Sequence, residues 1–206
     1  MLNDTKRRIY TDVLDNKAQY LLIVFFLVVG ITAGTVTVSH LQMDTQQALT
    51  SYKDSLFMSV KSADPEFWGI FFHSLLYHTL VFGVIAVFSL MMLGIPVIIA
   101  TLVFKGFCLG FTIGVLALDM SVGGFLAIVV CLFLPNLIFI PCVCKAGVLG
   151  LNNAIQVFKT RHIPKTAQDK LISSKPYFLR LIIVYAIGFI GILIESLLTP
   201  ALMKLI

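Results

Sequence analysis

Three polar side chains stand inside stretches of the chain that are otherwise apolar, and they are the residues that could do chemistry there. Lys105 lies near the middle of one apolar stretch, Glu195 is the only acidic residue within another, and Asn136 follows a leucine and a proline in a third. A charge in hydrocarbon is costly unless it meets a partner or water. We therefore predict that Lys105 and Glu195 pair inside the molecule. Two simpler interpretations remain. Lys105 could follow a shallow helix and extend its amine to the lipid headgroups, and Glu195 could reach the external headgroups alone.

No pattern typical of a catalytic or metal centre accompanies these residues. His73 and His78 are five positions apart, which turns them about 140° from each other on a helix, so they do not share a face. The chain has no His-Glu-x-x-His, no Gly-x-Ser-x-Gly elbow and no phosphate-binding loop. The four cysteines lie in apolar segments and are read as packing residues. We expect no catalytic residue, no metal and no other cofactor, and we do not predict an enzyme.

The elements that must position these side chains are membrane-spanning helices. Between residues 67 and 158 the only charged residues are Lys105, Asp119 and Lys145, and the chain's mean hydropathy is +0.99. About 20 apolar residues of helix cross the hydrocarbon of a bilayer. The net charge of +5 comes from basic residues that gather beside the spans, which indicates topology and not a nucleic-acid partner. The fold class is all-α, a polytopic membrane protein in a single domain.

Two basic segments of the chain indicate how many spans it has. Residues 1–17 and 159–180 are both rich in lysine and arginine, so both should stay cytoplasmic. The first span leaves the cytoplasm, and an odd number must then lie before residue 159; three fit. We predict a bundle of five transmembrane helices with the N-terminus cytoplasmic and the C-terminus extracytoplasmic, an external loop at 39–68 and a cytoplasmic loop at 159–175. The spans are expected near 18–38, 69–92, 95–118, 123–146 and 176–198.

The external loop carries a second kind of candidate site. Apolar side chains recur in it at helical spacing, which predicts a short amphipathic helix. That helix could lie on its own bundle, on the membrane surface or against a partner protein. The candidate partner-binding residues are Leu49, Tyr52, Leu56, Phe57 and Val60.

Small residues predict where helices approach each other closely. Gly106, Gly110 and Gly114 form a small-xxx-small ridge, and Gly30 and Gly34 form a shorter one. Close helix packing is the main interpretation, and the same faces favour a homo-oligomer.

Two prolines fall within the predicted fourth span. Pro135 and Pro141 each lack an amide hydrogen and should kink the helix, and Asn136 could satisfy a carbonyl that a kink releases. Kinked polar helices occur at transport sites as well as in structural bundles.

Several of these motifs together resemble the stage II sporulation protein M family of endospore-forming bacteria. They are Lys105-Gly106, Gly110-Phe111-Thr112-x-Gly114, Leu134-Pro135-Asn136 and Ile140-Pro141. The likeness extends over nearly the full chain, from the basic N-terminus through the external loop and the block of three spans to the final helix.

The resemblance implies a non-enzymatic scaffold in the cytoplasmic membrane at the sporulation septum, acting in engulfment. Its implied partners are the stage II sporulation proteins D and P, membrane-anchored cell-wall hydrolases, besides membrane lipid. The alternative is a transporter or permease-like subunit with a polar pathway through Lys105 and Glu195. That alternative predicts a water-accessible cavity at midplane depth and an ATPase partner, whereas a dry bundle would exclude it.

Overall fold

A computed structural model describes residues 11–62, 67–91, 93–118, 134–159 and 167–203. Over this part of the chain the protein is 94% helical and has no strand. Its six described long helices are α1 Lys17–Ser39, α2 Met43–Ser62, α3 Phe67–Phe88, α4 Gly94–Ala117, α5 Leu134–Lys159 and α6 Ala167–Met203.

Five of these helices are long and apolar enough to cross a membrane. The spanning stretches are Lys17–Ser39, Phe71–Phe88, Gly94–Ala117, Asn136–Lys159 and Pro176–Leu197. The predicted all-α class with five spanning helices is confirmed. Which end of the bundle faces the cytoplasm stays a prediction.

The fourth span differs from its predicted position. We expected it at 123–146, of which 123–133 lie outside the described residues, and the spanning stretch of α5 is Asn136–Lys159. Residues 147–158, with Asn152 and Asn153, were expected to continue the fourth helix into the cytoplasmic interface. The helix does continue to Lys159, but this stretch is apolar enough to be part of the span, and both asparagines hydrogen-bond other segments of the protein. Residues 167–175 of the predicted cytoplasmic loop are helical and belong to α6, whose spanning stretch begins at Pro176.

Helices α1 and α4 run in the same direction. Gly30 lies against Gly106, and Val38 lies against Gly114, so residue numbers rise together along the pair. Their contact is the most extensive between any two of the described helices.

Helices α3 and α5 run the opposite way. Gly150 of α5 lies beside Ile98 of α4, and Gly147 of α5 lies beside Leu102 of α4. Residue numbers therefore rise along α5 as they fall along α4, and the two helices are antiparallel. The contacts of α6 with α3 follow the same rule, and α6 therefore runs parallel to α1 and α4. The five spans alternate in direction, as successive crossings of one membrane require.

The centre of the bundle is α5. In its spanning stretch 67% of the residues are buried, against at most 39% in the other four. It contacts α1, α3, α4 and α6. Lipid tails are as apolar as leucine, so tight packing and hydrogen bonds, and not burial from water, hold such helices together. The fully buried side chains include Ile23, Ile85, Ile98, Leu102, Val143 and Ile192.

The predicted amphipathic helix is α2, which is not one of the membrane-spanning helices and lies against the bundle of its own chain. It contacts α4 and α6. Leu49 is half-buried there, whereas Tyr52 is exposed. The side chains of Leu56, Phe57 and Val60 lie outside the described part of the structure.

Candidate functional site

A polar cavity of about 350 Å³ lies between α3, α4, α5 and α6. It brings together the three polar residues singled out from the sequence, since Lys105, Glu195 and Asn136 all line it. Lys105 comes from the middle of α4, and Glu195 from close to the end of the span in α6. The cavity therefore extends from one end of the bundle to about half its depth. Its other polar or aromatic lining residues are His73, Ser74, Tyr77, His78, Cys108, Thr112 and Phe139.

The Glu195 carboxylate is held by two side chains of α3. Ser74 Oγ donates a hydrogen bond of 2.7 Å to Glu195 Oε2, and His78 Nε2 lies 3.0 Å from the same oxygen. A carboxylate only accepts, so Nε2 must carry the proton that it donates. Residues four apart share a helix face, which is why α3 presents Ser74 and His78 together.

The second ring nitrogen of His78 is a buried polar atom without a partner. The side chain is 6% exposed, and Nδ1 has no hydrogen-bond partner within the described structure. With the proton of a neutral ring on Nε2, Nδ1 is an acceptor. Phe139 packs against this ring with their centroids 3.7 Å apart, so the imidazole is fixed in place.

Lys105 is buried, with 5% of the residue exposed. Its Nζ lies 4.5 Å from the ring centroid of Tyr77 and 5.0 Å from that of Phe139. Aromatic faces attract an ammonium group, and the attraction grows when water is excluded. Because α4 is one continuous helix from Gly94 to Ala117, Lys105 does not snorkel from a shallow helix.

The predicted direct pair between Lys105 and Glu195 takes a different form. Both charges line one cavity, but the carboxylate contacts Ser74 and His78, and the ammonium contacts aromatic rings. This arrangement does not follow from the spacing of His78 and His73, the one relation considered for His78 above. The spacing of four between Ser74 and His78 was the available signal.

Beside the cavity, α1 and α4 meet in a close backbone contact that we call the glycine seam: Gly30, Gly34, Gly106, Gly110 and Gly114. A Cβ added to Gly30 would fall on the carbonyl oxygen of Val103, and one added to Gly110 would fall on that of Ile31. Gly34 and Gly106 are equally tight against the facing backbone, and Gly114 faces the side chain of Val38. Only glycine lets two helices approach this closely.

The seam also carries a hydrogen bond between the two helices. Thr35 Oγ1 lies 3.1 Å from the carbonyl oxygen of Gly110. The small faces proposed to promote a homo-oligomer are thus covered within one chain. Self-association stays a prediction, but these glycines do not provide its surface.

A second polar cluster lies at the opposite end of the bundle. Lys145 of α5 forms an ion pair with Asp12, and Tyr20 hydrogen-bonds the same carboxylate at 3.1 Å. Asn152 donates to Asn16 at 2.6 Å. These contacts fasten the segment before α1 to α5.

The two prolines occupy different settings. Pro141 lies inside α5, where the carbonyl of Leu137 receives no hydrogen bond from it. Pro135 is the second described residue of α5, and because residues 119–133 lie outside the described structure its predicted kink stays a prediction. Asn136 follows it at the cavity.

In the described ranges, no three histidine, cysteine or acidic side chains are grouped so that they could hold a metal ion. Ser74 and His78 both bond the carboxylate and not each other, so they do not form the serine–histidine pair of a hydrolase triad.

These features define a class: an all-helical, multi-pass membrane protein with a polar cavity inside its bundle. The family model of stage II sporulation protein M matches residues 22–200, and the chain belongs to this family. It is therefore a sporulation-related membrane protein, of a family not known for enzymatic activity. No curated protein and no solved structure matches the chain.

Proposed function

We propose that this protein is a non-enzymatic scaffold that assembles and localises septal peptidoglycan hydrolases during engulfment. Its partners are the stage II sporulation proteins D and P, and its place is the sporulation septum. The observation that carries the proposal is the family match over residues 22–200, which covers all five spans apart from residues 17–21 at the start of α1.

The helix α2 is the surface that we assign to these partners. It lies outside the spans and against α4 and α6, so it is held at the end of the bundle where α3 begins. Met43 and Tyr52 are 75% and 64% exposed on it, although neither is in a spanning helix. Exposed apolar and aromatic side chains outside the lipid are typical of protein contact sites.

The test is recovery of the hydrolases with the tagged full chain from sporulating cells, quantified by mass spectrometry. We expect Tyr52→Glu to lower their recovery at least about tenfold, because a buried charge replaces an aromatic anchor. Gln47→Glu is the matched control: it adds the same charge at an exposed position of α2 and should leave recovery unchanged. A chain that is always recovered without a hydrolase would contradict the scaffold.

The cavity favours a second candidate, a transporter or permease-like subunit. Lys105 and Glu195 line a space that reaches about half the depth of the bundle, as a polar pathway requires. This candidate predicts that an ATPase co-purifies and is lost when the basic residues of 160–175 are neutralised. Recovery of the hydrolases without an ATPase would reject it.

A further inference from the structure

The cavity presents polar atoms that the protein itself does not satisfy. Both hydrogen bonds to Glu195 end on Oε2, so in the described structure Oε1 has no partner. Nδ1 of His78 is an acceptor without a donor. The three N–H donors of Lys105 meet ring faces and, within the described residues, no oxygen acceptor. Of these atoms His78 Nδ1 is buried without a partner, and the Glu195 side chain is 31% exposed toward the cavity. Buried polar groups in native proteins are normally paired, so Nδ1 indicates a ligand or water in this space.

The charges restrict which ligand would fit. Lys105 and Glu195 contribute one positive and one negative charge to the same space. An anion drawn to Lys105 would be repelled by Glu195, and a cation drawn to Glu195 would be repelled by Lys105. A molecule that carries both charges meets an opposite charge at each end.

The atoms without a partner also restrict the hydrogen-bonding groups at each end of the ligand. Glu195 Oε1 and His78 Nδ1 are both acceptors, so the cationic end must carry N–H donors. Lys105 offers only donors, so the other end must be an oxygen anion.

We propose that the cavity binds a small zwitterion with a primary ammonium group and a carboxylate or phosphate group. The ammonium donates to Glu195 Oε1 and His78 Nδ1, and the anion accepts from Lys105. A volume of about 350 Å³ is at the small end of ligand pockets. It suits an amino acid or a phosphoethanolamine group, which a cell supplies free or as the headgroup of phosphatidylethanolamine.

The experiment uses the purified full chain and two ligand series. Native mass spectrometry compares retention of phosphatidylethanolamine, phosphatidylcholine and phosphatidylglycerol offered in equal amounts. A thermal-shift titration measures free glycine and free phosphoethanolamine, with choline phosphate as the control. Phosphatidylcholine and choline phosphate keep both charges but have no N–H on the cation, and phosphatidylglycerol has no cation.

We expect the primary-amine ligand to bind at least about tenfold more tightly than its quaternary-amine counterpart. Lys105→Met and Glu195→Gln should each weaken it at least about tenfold, because each removes a charge-assisted hydrogen bond. Lys145→Met is the matched control. It also removes a lysine charge from a span, but at the far cluster, and should leave binding unchanged.

The outcomes separate the sources and decide the proposal. Selective retention of phosphatidylethanolamine identifies the lipid headgroup, and a shift with the free zwitterions alone identifies a soluble ligand. Equal retention of the three lipids with no response to free zwitterions would overturn the proposal, as would binding that both cavity variants leave unchanged. The ligand comparison on the unmodified protein decides the matter even if a variant fails to fold.

Discussion

The two sides of α4 show two ways in which a membrane helix can be used. On one side Gly106, Gly110 and Gly114 bring its backbone against α1, and nothing larger than a hydrogen atom fits between them. On the other side Lys105 and Cys108 face a polar cavity. Lys105 and Gly106 are adjacent in the sequence, yet the first lines the cavity and the second lies in a close backbone contact. We infer that the glycine seam stabilises the fold and that the cavity binds a ligand.

The largest effect should follow from closing the seam. We expect Gly110→Ala to destabilise the folded protein by about 1–3 kcal/mol, because the new methyl falls on the carbonyl of Ile31 and the helices must separate. Unfolding by SDS in mixed micelles measures the change.

Gly83→Ala is the matched control for that substitution. Gly83 lies in α3, and a Cβ there would meet no atom within 4 Å. It should be neutral or slightly stabilising, since alanine is the better helix former. Equal losses at both positions would show that the seam is not a close contact.

A smaller effect on stability should follow from changing the cavity. We expect Lys105→Met to unfold within about 1 kcal/mol of the unmodified protein, because an apolar side chain of similar length replaces a buried cation. The same SDS titration measures it. A loss of unfolding free energy as large as that of Gly110→Ala would show that the cavity stabilises the fold as much as the glycine seam does.

Features of the fold and the cavity that depend on local sequence could be predicted, whereas those that depend on distant contacts could not. Five spans and the seam follow from local features: apolar stretches of the right length and glycines at a spacing of four. The cavity residues Lys105, Glu195 and Asn136 could be named because each is costly in hydrocarbon by itself.

The arrangement of those residues could not be predicted, because it depends on helix neighbours that are far apart in the chain. Ser74 and His78 meet Glu195 because α3 and α6 lie side by side. Likewise, the partners of Lys145 and Asn152 lie in the segment before α1, more than a hundred residues away in the chain.

The smallest effect is expected at the far polar cluster, which lies partly in reach of water. The side chains of Asp12 and Lys145 are 30% and 27% exposed. Asp12→Asn should cost about 0.5–1 kcal/mol, since partly exposed ion pairs are screened. Asp15→Asn, at an exposed neighbouring position, should change nothing measurable in the same assay. An effect above that of Gly110→Ala would make this cluster, and not the seam, the main fastening of the bundle.

The native cysteines allow the most direct test of the cavity. Cys108 lines it, whereas Cys142 and Cys144 are each 7% exposed in the core around α5. The unmodified protein is treated with a charged, water-soluble methanethiosulfonate, and peptide mapping follows modification at each thiol. We predict that Cys108 reacts at least about tenfold faster than Cys144, because water and the reagent reach it through the cavity. A Cys108 as unreactive as Cys144 would mean that the bundle is dry there, and the account of a ligand-binding cavity would be wrong.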